Sequence, residues 1–141
     1  MTEAQLFARL ERRGYGADHV AETVAACKAE GYVDDALFAR LFIDGRSKAL
    51  GDARLVADLV RRGIARDAAR KSVASAERSE NERLEAALGK LFRTRPGLGY
   101  PSAARALERL GFPAAAIYRH LRAYAREHDL GAPEDYLEER A

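Results

Sequence analysis

Residues 31–64 read GYVDDALFARLFIDGRSKALGDARLVADLVRRGI, and this stretch decides the fold. It opens on Gly31 and the acids Asp34 and Asp35. Asp34 is placed to cap the free N–H groups of a helix, and Asp35 lies at the positive end of that helix's dipole. Leu37, Phe38, Leu41 and Phe42 then recur at helical spacing as one apolar stripe. Gly51 interrupts it, with Asp52 ready to cap a second helix that carries Leu55 and Leu59. Gly63 and Ile64 end that helix. A glycine just past a helix adopts the left-handed conformation that closes the last turn, and the following residue packs on the one four positions before the glycine. Ile64 is therefore expected on Leu59. The same arrangement stands at Leu10/Gly14/Tyr15, Cys27/Gly31/Tyr32 and Leu107/Gly111/Phe112. Such stops predict an all-α chain of about seven to nine helices without a sheet.

Outward from this stretch, the apolar spacing predicts helices over 4–13, with Leu6 and Leu10 inward, and 17–30, with Val20, Val24 and Cys27 inward. Further helices are expected over 66–77 (Ala69, Val73) and from about 82 (Leu84, Leu88, Leu91, Phe92). RPGLGYP, residues 95–101, reads as the longest loop. Helices over 102–110 and from Pro113 follow, the last bearing Ile117, Leu121 and Tyr124. Ala36, Ala39, Ile43 and Leu50 lie roughly opposite Phe38, so the helix from Asp34 is expected to be buried on both sides.

Aligning Gly14, Gly63 and Gly111 reveals a repeat of about 48 residues. Leu10, Leu59 and Leu107 stand four before. Tyr15, Ile64 and Phe112 stand one after, Val20, Ala69 and Ile117 six after, and Val24, Val73 and Leu121 ten after. The expected architecture is tandem three-helix repeats, about 2.7 units, stacked into an elongated, curved array. Residues 1–30 form a truncated first repeat, 31–77 the middle repeat, 78–126 the third, and 127–141 an acidic, loosely held tail.

The chain has 141 residues and a net charge of +2. No apolar run approaches the ~20 residues of a membrane span, and the N-terminus lacks a signal-peptide layout. One cysteine permits no internal disulfide, which fits a reducing cytoplasm. A cytoplasmic monomer without a cofactor is expected.

Gly31-Tyr32-Val33-Asp34-Asp35, followed by Phe38-Ala39, Arg46, Gly51, Leu55, Leu59 and Arg62-Gly63-Ile64, resembles the RecX family, regulators of the RecA recombinase. Arg105, Leu107, Gly111 and Phe112 resemble the family's later Arg…Leu-x-x-Arg-Gly-Phe pattern, with Leu110 in place of its second arginine. The family usually has leucine where Val33 stands. The resemblance covers about residues 5–124. It implies tandem three-helix repeats that bind in the groove of the RecA–DNA filament, inhibit ATPase and strand exchange, and limit filament growth. The implied protein is not an enzyme. It is a negative regulator of homologous recombination, DNA repair and the SOS response.

The bland readings of the remaining motifs are the stronger ones. Asp34 and Asp35 lack a His, Cys or third carboxylate to complete a catalytic or metal site. His19, His120 and His128 have no metal-type spacing. Cys27 reads as a small buried hydrophobe under Tyr32. RPGLGYP lacks the lysine and Ser/Thr of a phosphate loop. The cations carry more. Arg40, Arg46, Lys48, Arg54, Arg61, Arg62, Arg66, Arg70 and Lys71 face only Asp44, Asp52, Asp58 and Asp67 in the same stretch. Alone, they fit a solvated face as well as a partner surface; the resemblance favours a partner surface. Arg54 and Arg61 are expected to point outward. The alternative function is a small helical DNA-binding module acting without RecA. Its reading helices would start at Ala17-Asp18-His19, Ala65-Arg66-Asp67 and Pro113-Ala114-Ala115, which offer few donors. The RecA reading also allows a weak direct contact with DNA.

Overall fold

The computed structural model describes residues 1–46 and 50–128, apart from the Arg46 side chain. These residues form eight α-helices, and no strand occurs among them: α1 (Glu3–Arg12), α2 (Ala17–Ala29), α3 (Asp35–Arg46), α4 (Asp52–Arg61), α5 (Arg66–Ala74), α6 (Glu80–Thr94), α7 (Tyr100–Arg109) and α8 (Ala114–Glu127). The expected tail lies almost entirely outside the described residues. No helix is long and apolar enough to cross a membrane among the residues described.

Each of the four stop glycines has a positive φ: 87° at Gly14, 81° at Gly31, 96° at Gly63 and 96° at Gly111. The hydrogen bonds are those of a Schellman turn. At Gly63 its N–H donates to the Val60 carbonyl at 3.0 Å, and the Ile64 N–H to the Leu59 carbonyl at 3.1 Å. The apolar half of the motif divides the four. Ile64 over Leu59 and Phe112 over Leu107 are buried. Tyr15 and Tyr32 remain 48% and 76% exposed, and Cys27 is only half-buried, contrary to expectation. The backbone bonds suffice to stop a helix, with or without an apolar lid.

The chain divides into two compact units. The first combines residues 1–45 with 56–76; the second combines the described residues of the stretch from 46 to 55 with residues 77–128. In the first, α1 packs on α2, and Val20, Val24, Val33, Ala39, Ile43, Leu59, Ile64, Ala69 and Val73 are buried. In the second, α6, α7 and α8 pack on one another around a core that includes Leu84, Leu88, Phe92, Tyr100, Leu107, Phe112, Ile117 and Leu121. The repeat-aligned positions 20, 69 and 117, and 24, 73 and 121, are all buried.

Several expected boundaries and faces differ. α5 ends at Ala74, short of 77. α7 begins at Tyr100 and takes Pro101 into its first turn, where a proline costs no hydrogen bond, so the loop ends at Gly99. α3 is not buried on both sides. Ala39 and Ile43 face the core at 1% and 2% exposure, whereas Leu37 and Leu41 are 39% and 61% exposed. Both faces of α3 are apolar, so periodicity alone could not select the inner one.

Candidate partner-binding surface

Helix starts and glycine turns position this surface, and each unit is built by the same device. In the first unit Asp34 caps α3, its carboxylate accepting from the Leu37 N–H at 3.0 Å. The carboxylate of Asp35, the first residue of α3, accepts instead from the Glu3 N–H at the start of α1, at 2.8 Å. Thr2 caps α1 in a reciprocal box with Gln5. Its hydroxyl also donates to the Arg62 carbonyl at 2.6 Å. A side chain at Gly63 would collide with Ala4.

The second unit repeats the arrangement. Ser79 caps α6, accepting from the Glu82 N–H at 3.2 Å. The carboxylate of Glu80, first in α6, accepts from the Asp52 N–H at the start of α4, at 2.7 Å. The Gly51 N–H donates to the Leu110 carbonyl at 2.8 Å. A side chain at Gly51 would collide with the Gly111 backbone, and one at Gly111 with Arg54. Asp52 is thus not the cap of α4. Gly51 holds that place because the docking excludes any Cβ, and the Asp52 carboxylate pairs with Arg83.

Arg83 is 1% exposed and had no place among the sequence candidates. Its guanidinium donates to the Leu50 carbonyl at 2.7 Å, the Arg78 carbonyl at 3.3 Å and the Asp52 carboxylate. Each nitrogen of this buried cation thus has an acceptor, and the chain before α4 is fixed to the start of α6. Arg83 stands one position before the buried Leu84. An arginine beside an apolar stripe, with acids at 80 and 52, was the available signal.

The nine candidate cations fall into three groups. Arg46 (its side chain) and Lys48 lie outside the described residues. Arg54, Arg61 and Arg62 are engaged by the fold. Arg54 donates to the Arg109 carbonyl at 3.2 Å. Arg61 pairs with Asp58, whose side chain is 8% exposed. Arg62 donates to the Asp58 carbonyl at 3.0 Å and lies over the Phe42 ring, 4.5 Å from its centre. Arg54 and Arg61 are exposed, as expected, and each also satisfies a protein acceptor. Arg40, Arg66, Arg70 and Lys71 form the third group. They are exposed and, among the described residues, make no hydrogen bond or ion pair. Arg66 and Arg70 are one helical turn apart on α5, beside Lys71. Arg62, held over Phe42, precedes them across the Gly63 turn.

No group of His, Cys, Asp and Glu is arranged to hold a metal ion among the described residues. A Tyr15–His19 ring contact, with centres 5.4 Å apart, occupies His19.

Fold and surface define a helical protein whose exposed α5 cations suit binding to an acidic partner. No protein-family model matches the chain. The Regulatory protein RecX of Thermus thermophilus is 32% identical over 112 residues, covering 79% of this chain and 74% of that protein. The chain belongs to the RecX family of regulatory proteins.

Proposed function

We propose that this chain is a negative regulator of the RecA recombinase. It binds in the groove of the RecA–DNA filament, inhibits ATP hydrolysis and strand exchange, and so limits filament growth without catalysing a reaction. Stacked three-helix repeats carry the surface in this reading. The observation that supports it is the set of exposed cations Arg40, Arg66, Arg70 and Lys71, which among the described residues make no hydrogen bond or ion pair, in a member of this family. A cation that satisfies no protein acceptor stays available to a carboxylate or phosphate partner. Arg62 is a fifth contact held ready by Phe42. Arg54 and Arg61 belong to folding more than to binding. The test is RecA ATPase on single-stranded DNA at rising concentrations of this protein and at two salt levels. Inhibition that weakens with salt is expected; no inhibition at micromolar excess would refute the reading.

A further inference from the structure

Both units are closed by seating the start of one helix on the glycine turn that ends another. The Arg62 carbonyl beside Gly63 receives the Thr2 hydroxyl, and the Leu110 carbonyl beside Gly111 receives the Gly51 N–H. Each seat is a carbonyl next to a residue without a side chain. A third turn of this class follows α1. Gly14 has the same left-handed backbone, and Arg13 stands before it as Arg62 and Leu110 stand before theirs. Arg13 and Gly14 are exposed, and a Cβ on Gly14 would meet nothing within 4 Å. The Gly31 turn is of another class, since it follows α2 rather than the repeat-equivalent helices α1, α4 and α7.

A third helix start of this class opens α7. Its N-cap, Gly99, corresponds to Gly51 and Thr2. Gly99 is exposed, with φ −72° and ψ 155°, a conformation open to any residue. A Cβ there would meet only the Pro101 ring at 3.8 Å, an ordinary contact. Nothing in its own surroundings requires glycine. At Gly51 the requirement comes wholly from the turn on which it docks.

We propose that the start of α7 in one copy of this chain docks on the Gly14 turn of a second copy, the Gly99 N–H donating to the second copy's Arg13 carbonyl. Ser102, third in α7, then covers Gly14 as Arg54, third in α4, covers Gly111. The two faces differ, so the contact is heterologous and can be repeated from copy to copy. It is small and therefore weak, showing itself at high concentration or where a scaffold aligns copies. In such conditions it replaces the monomer expected from the sequence. It does not rest on the RecA reading.

The experiment uses the full chain with Cys27→Ser. Arg13→Cys is placed in one preparation and Ser102→Cys in another. On mild oxidation the mixture is expected to give a disulfide-linked pair containing one of each, several-fold more than either preparation alone. Sedimentation of the wild type should show mass rising with concentration. Gly99→Val should hold the mass at that of a monomer with helicity unchanged. A wild type monomeric up to millimolar concentration, association that survives Gly99→Val, or equal cross-linking in the single preparations would overturn the proposal.

Discussion

Arg83 and Asp52 form an ion pair in which only one partner is buried: the arginine side chain is 1% exposed and the aspartate side chain 47%. Their removal should therefore be unequal. Asp52→Ala strands a buried cation and should cost about 3 kcal/mol. Arg83→Met leaves a carboxylate that water can reach and fills the space with apolar atoms. Its cost is the loss of donors to Leu50 and Arg78, about 1–2 kcal/mol. Urea unfolding of the two variants decides it; a larger loss for Arg83→Met would contradict the assignment.

The stop glycines carry two separable costs. Gly14→Ala and Gly63→Ala both force a side chain into the left-handed region, roughly 1–2 kcal/mol each. Only Gly63 also has Ala4 against it. Gly63→Ala should therefore be the worse by a further ~1–2 kcal/mol, the range for overpacking. Gly97→Ala, in open space within the loop, should leave the midpoint unchanged. Equal midpoints for the Gly14 and Gly63 variants would deny the docking of α1.

Thr2 does more than cap. Thr2→Val loses the bond from the Gln5 N–H and the one to the Arg62 carbonyl. Ser79→Ala loses one exposed cap bond, worth about 1 kcal/mol. Thr2→Val should exceed it by a further ~1 kcal/mol, read as a lower midpoint in thermal unfolding monitored by circular dichroism.

On the filament, Arg66→Glu with Arg70→Glu should weaken ATPase inhibition at least several-fold with helicity and stability retained. Exposed charges away from fixed partners carry little folding energy, about 0–1 kcal/mol. Arg61→Glu instead sets a second carboxylate beside Asp58 and should lower the unfolding midpoint first. Full inhibition by the folded Arg66/Arg70 variant would remove α5 from the contact surface.

The helix stops were legible because one residue type in one backbone conformation decides each of them. Gly14, Gly31, Gly63 and Gly111 all take the left-handed backbone read for them, though the apolar packing that was read with it is buried only at Gly63 and Gly111. The buried positions of α5 and α8 were legible because each helix has one apolar face. α3 was not, because Leu37/Leu41 and Ala39/Ile43 offer two. The roles of Asp52, Arg54 and Arg83 were hidden for another reason. The Asp52–Arg83, Arg83–Leu50 and Arg54–Arg109 bonds span 31 to 55 residues, and no local pattern encodes which distant carbonyl or carboxylate will meet them. The exposed α5 cations were named at the outset, but the sequence could not separate them from Arg54, whose acceptor lies 55 residues away; the i,i+3 pair of Arg61 with Asp58 was within local reach.

The bond between Thr2 and Arg62 spans 60 residues, and this sets an order of events on the ribosome. α1 is made first, yet its seat does not exist until the Gly63 turn has emerged. α4 in turn waits for Leu110 and Gly111 before the Gly51 N–H has its acceptor. Each newly made segment thus leaves an earlier helix start unsatisfied until a later turn arrives. Synthesis that pauses before α2 is made would hold α1 as an isolated helix of ten residues, too short to persist in water alone; once made, α2 gives it a packing partner, but its start still lacks the Arg62 carbonyl.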